Sequence, residues 1–212
     1  SDPLNPDTDS DGLLDGIELR GNTGPLDLDS DDDGLADGEE DRNRNGVLDP
    51  GETSPSLFDT DGDKLSDGLE LGRTQGVADP DGAGILRGTD STVFMADSEH
   101  ESQTDPRRED TDEDGRIDGD EDINANGKQD EGETDPLNWD SDGDSVSDGD
   151  EVNLGTDPLD RDSVSLLLLM YETAFSDASL PGWTVVDDGT IEGPSDWLVV
   201  DNVLVQLSNI FG

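Results

Sequence analysis

The sequence predicts a mostly irregular fold: tandem acidic loops packed against one another, followed by a small all-β segment at the C-terminal end. Three observations predict it. The chain is too poor in apolar residues for an ordinary core, its acids recur in a fixed register, and its character changes abruptly near Ser163.

Only 28% of the 212 residues are hydrophobic and 4% aromatic. So little apolar surface cannot offset the entropy of ordering the chain. The formal net charge is -47, from 58 acidic and 11 basic residues. Such a balance belongs either to a disordered acidic tract or to a fold neutralised by cations. It argues against nucleic acid as a partner, because phosphates are repelled, and against an anionic membrane surface. The longest apolar run, Leu166 to Met170, falls far short of the roughly 20 residues a membrane helix needs, so no membrane insertion is expected. There is no cysteine and hence no disulfide framework. The chain starts at Ser1 without a Met and is expected to come from a longer precursor.

Register decides between disorder and a cation-neutralised fold. The stretch from Asp29 to Glu70 aligns without a gap on the stretch from Asp110 to Glu151, at an offset of 81, and 24 of 42 positions are identical. The identities are Asp, Asn, Gly and Glu together with a few Ser, Thr and Pro. A solvated charge run has no reason to keep such a register, so these positions read as ligands and turn residues. Residues 71–109 lie between the copies as an insertion. Within it Ser91 to Asp97 reads as a short strand, and Asp79 to Gly84 as a damaged loop with Ala83 where an oxygen ligand belongs. His100 reads as a solvated loop residue.

Seven segments fit D-x-[DN]-x-[DN]-x6-E, a twelve-residue loop that aims oxygens at a hard cation. The side chains of positions 1, 3, 5 and 12 and the backbone carbonyl of position 7 are the candidate ligands. They are Asp7, Asp9, Asp11, Leu13 and Glu18 in the first loop, and Asp29, Asp31, Asp33, Leu35 and Glu40 in the second. The third has Asp41, Asn43, Asn45, Val47 and Glu52; the fourth has Asp59, Asp61, Asp63, Leu65 and Glu70. The fifth has Asp110, Asp112, Asp114, Arg116 and Glu121; the sixth has Asp122, Asn124, Asn126, Lys128 and Glu133. The seventh has Asp140, Asp142, Asp144, Val146 and Glu151.

Calcium is the expected ion, about seven per chain, because it takes roughly six to eight oxygens in a flexible shell, whereas magnesium demands octahedral geometry and keeps its waters. Zinc and copper would call for His or Cys. Position 6 is Gly in five loops; the fourth and seventh carry Lys64 and Ser145 there and Gly62 and Gly143 at position 4, which reads as a shifted turn. Every loop also has Asp at position 9, able to ligate through water or to bridge to a neighbouring ion.

Flanking helices of the EF-hand kind do not fit. Asp41 follows Glu40 at once and Asp122 follows Glu121 at once, while six residues separate Glu52 from Asp59. The loops must pack directly on each other. Pro3, Pro25, Pro55, Pro106 and Pro136 each stand four residues before a loop, and Pro158 stands four before Asp162, where the pattern stops. Proline favours extended geometry in its predecessor, so stiff, extended connectors are expected. Phe58 and Trp139, each just ahead of a loop, read as small anchors over the metal stack.

Units such as DPLNPDTDSDGLLDGIE resemble thrombospondin type 3 repeats in a bacterial, cysteine-free form. The resemblance covers residues 1–163. It implies calcium-stabilised tandem loop repeats with little regular secondary structure, of the kind found in secreted or cell-surface proteins. Animal members carry disulfides; here calcium alone would hold the fold.

Residues 164–212 read as β, with strands at Ser165 to Thr173, Trp183 to Val186, Trp197 to Asp201 and Leu204 to Ser208, and with Trp183 and Trp197 in a core. The segment resembles the start of a lectin-like β-sandwich. About 50 residues cannot close a sandwich. Either a larger domain is cut short, or these strands pair with another copy head to tail.

The expected function is therefore structural: an extracellular, calcium-rigidified stalk or filament subunit of a bacterial surface protein, and no enzyme. The alternative is a fragment of a calcium-dependent adhesin whose lectin-like domain binds a glycan or a protein partner.

Overall fold

The computed structural model describes residues 2–82, 84–99, 102–163, 197–200 and 203–206. The expected strands over 165–173 and 183–186, Trp183, His100 and Ala83 lie outside the described residues. Trp197–Val200 (β1) and Val203–Gln206 (β2) pair antiparallel, with Trp197 opposite Gln206 and Val200 opposite Val203.

The repeats are mostly irregular, with five short helices: α1 (Asp15–Gly21), α2 (Asp37–Glu40), α3 (Asp67–Glu70), α4 (Asp118–Glu121) and α5 (Asp148–Leu154). Each starts on the Asp at loop position 9 and carries the Glu of position 12 in its first turn. Acids suit that place because the first N–H groups of a helix lack backbone partners. Ser66 and Ser147 cap α3 and α5 by accepting from Leu69 N and Asp150 N. Helix α1 runs on to a left-handed cap at Asn22 and α5 to one at Gly155.

Each loop before its helix is wound by its own carboxylates. Asp11, Asp33, Asp63, Asp114 and Asp144 accept from the backbone N–H two residues on, at 2.6 to 2.8 Å. Position 1 folds the chain back further: Asp59 accepts from Gly62 N at 2.6 Å and Lys64 N at 2.9 Å. Positions 4 and 6 both have positive φ in all seven loops, from Ser10 and Gly12 to Gly143 and Ser145. The turn expected to shift in the fourth and seventh loops does not shift. Each loop has a single glycine for two left-handed positions, and the other residue bears the strain, about 1 kcal/mol.

The connectors are β-turns, where extended links were expected. Proline sits at the second residue of each, with closing bonds such as Asp27 N to Gly24 O at 2.8 Å, Leu57 N to Ser54 O at 2.9 Å and Asn138 N to Asp135 O at 2.8 Å. Proline's fixed φ suits that corner. The residue before the proline donates its N–H to the hydroxyl at loop position 2: Gly24 to Ser30, Ser54 to Thr60, Asp105 to Thr111. That hydroxyl donates on to the first Asp of the helix, as Ser30 does to Asp37 at 2.7 Å and Thr111 to Asp118 at 2.6 Å. Turn, loop and helix thereby form one unit.

Units stack through a glycine at position 10. A β-carbon on Gly38 would lie 2.5 Å from Asp11 O, and one on Gly68, Gly119 or Gly149 would come closer still to the carbonyls of Asp33, Asp63 and Asp114. The order of stacking is thus first, second, fourth, fifth and seventh loop. The third and sixth, fused to their predecessors, fold back: Gly46 meets Ile17 of α1, and Gly127 meets Leu69 of α3. Among the described residues the buried apolar side chains are Leu13, Leu35, Leu65 and Leu69 with Pro106 and Pro136; the other buried side chains are acidic or hydroxylated. Three of those leucines stand at position 7, expected to matter only through its carbonyl.

The insertion returns onto the loops. Arg87 and Leu26 through Leu28 exchange backbone bonds of 2.8 and 3.1 Å, and Ser98 N reaches Asn126 O at 2.8 Å. The strand expected over residues 91–97 does not form: Asp90 takes the N–H groups of Thr92, Val93 and Phe94 and winds a turn, which sends the Phe94 ring over Gly34. In the damaged loop, the Asp81 carboxylate gathers the N–H groups of Gly84, Ile85 and Leu86 at 2.9 to 3.2 Å.

Candidate metal centres

The acids come together in two kinds of cluster. Within a loop, positions 1, 3 and 5 converge: Asp7, Asp9 and Asp11; Asp29, Asp31 and Asp33; Asp59, Asp61 and Asp63. Between units, positions 5 and 12 meet the position-9 Asp of the next stacked unit: Asp11 and Glu18 with Asp37, Asp33 and Glu40 with Asp67. In each group the carboxylate oxygens lie within 4.8 Å of one another. The position-5 Asp belongs to both kinds. The same neighbours repel in the second half, where Asp118 faces Asp63 and Asp148 faces Asp114. In the first two loops the position-12 glutamate thus groups with position 5 of its own loop and position 9 of the next stacked unit.

The orientation of these side chains is regular. At position 3, one oxygen accepts a loop N–H and the other is buried without a partner, in Asp9, Asp31, Asp61, Asp112 and Asp142 alike. Glu18, Glu40 and Glu121 are at most 2% exposed, and neither oxygen of any of them has a partner. An ionised carboxylate in that state is heavily penalised unless a proton or a cation compensates it.

The titration behaviour follows. Burial, then the charge of Asp33, pushes Glu40 up to about 11. Burial, then Asp31, raises Asp33 to about 9. Burial and Asp63 take Glu70 to about 10. Glu18 and Glu121 rise to about 8 and Glu151 to about 7, with burial the largest cause in each. The residues present fit a hard divalent cation: the donors are all oxygens, paired acids face one point, and a glutamate with two unpartnered oxygens can bind through both.

The fused loops differ. Asn43 Nδ2 donates to Asp49 Oδ2 at 2.8 Å and Glu52 Oε1 at 2.9 Å, and Asn45 Nδ2 donates to Asp49 Oδ2 at 2.7 Å. Asn124, Asn126, Asp130 and Glu133 repeat the arrangement. The amides hold Asp49 and Asp130 below the usual carboxylate range. These loops offer fewer charges and leave Glu52 and Glu133 hydrogen-bonded. A half-turn of each amide would present Oδ1 in place of Nδ2.

Three kinds of residue around the clusters carry roles that were not assigned from the sequence. They are the position-10 glycines, the position-2 hydroxyls, and a threonine two residues before each of the corner prolines Pro25, Pro55, Pro106, Pro136 and Pro158. Thr104 Oγ1 donates to Glu70 Oε1 at 2.9 Å; Thr53 and Thr134 lie beside Glu40 and Glu121 in the matching places. The signal was present as T-x-P at Thr23, Thr53, Thr104, Thr134 and Thr156. Of the two expected anchors, Phe58 is half-buried and Trp139 is 48% exposed.

No family model matches the chain, and no curated protein or solved structure matches it either.

Proposed function

We propose that this chain is an extracellular structural element, a stalk or filament subunit whose repeats are held in a fixed stack by bound calcium. One observation carries the reading: Glu18, Glu40 and Glu121 are buried with all their carboxylate oxygens unpartnered, each facing further acids. A stack of such units without cations would be driven apart by its own charge. Calcium at the joints would neutralise both sides and tie successive units together. Extracellular modules of this ligand type bind at about 10⁻⁴ to 10⁻³ M, so the stack would be ordered outside cells and unfolded where calcium is scarce.

Small-angle scattering of the full chain at pH 8, with calcium and after chelation, tests this. Chelation is expected to expand the repeats toward unfolded dimensions. An unchanged profile would overturn the reading. Native mass spectrometry of the loaded chain then gives the ion count: about seven if each loop holds one, more if the clusters that share a position-5 Asp each hold their own.

A further inference from the structure

The insertion crosses one metal cluster and leaves its counterpart open. Thr89 lies 60 positions after Asp29 in sequence, yet its hydroxyl donates to Asp29 Oδ2. The direction of that bond is determined. Val77 N donates to Thr89 Oγ1 at 2.6 Å, so the hydroxyl proton is available for Asp29. Thr89 N is tied to Val77 O at 3.0 Å. Beside it Asp90 N donates to Asp32 Oδ1 at 2.7 Å, and the Phe94 ring closes over Gly34. Asp29 Oδ2 also accepts from Gly34 N at 3.0 Å. Its other oxygen, Oδ1, is buried, has no partner, and belongs to the group formed with Asp31 and Asp33.

The second copy supplies the control. Asp110 holds the same register, and its carboxylate is satisfied by Glu113 N, Asp114 N and Gly115 N from its own loop. A β-carbon on Gly115 would find only Gly149 Cα, at 4.0 Å. Asp29 is fully buried, whereas Asp110 is half-buried. Thr89, Asp90 and Phe94 thus lie against the second loop, whereas the Asp110 carboxylate is held by N–H groups of its own loop.

We propose that residues 88–94, braced by Val77, form a latch that makes the Asp29, Asp31 and Asp33 centre the slowly exchanging site of the chain, with Thr89 as its positioning residue. The proposal rests on the calcium reading above. Partners that fix a ligand's orientation from outside the coordination shell change metal affinity by roughly 10- to 100-fold when removed, and release here also requires local opening of the latch.

The test is stopped-flow release of calcium from the loaded full chain into a fluorescent chelator. The expected trace has a slow phase at least about 10-fold slower than the rest. Asp29→Asn should remove that phase, and Asp110→Asn should leave it. Thr89→Val should merge it with the fast phases while Thr89→Ser keeps it. Phe94→Ala, which removes the ring over Gly34 and no hydrogen-bonding group, should speed it as well. Release in one phase overturns the latch while leaving the calcium reading intact. So does a slow phase that survives both Thr89→Val and Phe94→Ala, or one lost with Asp110→Asn. A chain that takes up no calcium removes both.

Discussion

The stretches 29–70 and 110–151 carry the same repeat, yet their acids sit in different surroundings. In the first, Asp33 and Glu40 are raised to about 9 and about 11, and Glu70 to about 10. In the second, Asp114 rises less, Glu121 reaches about 8 and Glu151 about 7. The loops are wound by the same bonds, so the difference does not come from the loops. The first copy has a unit stacked on either side and the insertion laid across it. Among the described residues the second has a stacked unit on one side of its last loop, and the Asp110 carboxylate is met by its own loop. Burial strips water from the carboxylates, and identical ligands then face unequal demand for a cation.

The largest effect that can break this comparison is that of pH without calcium. Carboxylates whose folded pKa is raised stabilise the fold when protonated. That contribution is whole below their unfolded values, near 4, and is lost as pH rises through the folded values. For Glu151, Glu18 and Glu121 that means loss between about 4 and 8, and for Asp33, Glu70 and Glu40 it extends to about 9 to 11. In chelator, circular dichroism and scattering should show compaction on acidification from pH 8 to about 5. Calcium should give the same compaction at pH 8. The second copy should loosen over a lower pH range than the first.

Steric substitutions come next. Gly68→Ala puts a β-carbon onto Asp33 O, between units, and should cost about 1 to 3 kcal/mol in calcium-loaded chemical denaturation. Gly16→Ala occupies the same place in α1, where nothing lies within 4 Å. It should be neutral or stabilising by up to about 1 kcal/mol. Equal losses at the two would show that position 10 does not serve stacking.

A charge swap sharpens the comparison further. Glu40→Gln and Glu121→Gln should each weaken calcium binding in titration calorimetry. In chelator at pH 8 both should stabilise, and Glu40→Gln slightly more, because Glu40, raised to about 11, must stay protonated in the fold, whereas Glu121, raised to about 8, is half ionised there already. The reverse order would place the electrostatic load in the second copy. The smallest effect expected is that of Thr104→Val, about 1 kcal/mol from one hydrogen bond to Glu70, read as a lowered melting temperature.

The loops were legible because their ligands are local. Asp29, Asp31 and Asp33 stand two residues apart and converge as soon as the chain turns, and the glycines mark that turn. The proline corners were visible but misread. Proline's restraint on its predecessor suggests an extended link, but its own fixed φ suits the second place of a β-turn, and that governs here. The threonines before the prolines repeat as faithfully as the acids, but their use depends on which glutamate comes to lie beside them. Val93 and Phe94 have strand propensity, but their N–H groups turn back to the Asp90 carbonyl, and the turn outweighs that local preference.

By itself the sequence determined that oxygen-rich loops recur in two related blocks, with too little apolar surface for any other core. Those properties follow from composition and short-range spacing. Only the tertiary structure decided that each joint draws Asp37 to Asp11 and Glu18, or Asp67 to Asp33 and Glu40, that the fused loops fold back out of the stack, and that Thr89 reaches Asp29. Each of these joins residues far apart in sequence, where spacing carries no distance. Burial at those joints, which sets the need for a cation, is a property of the assembled stack.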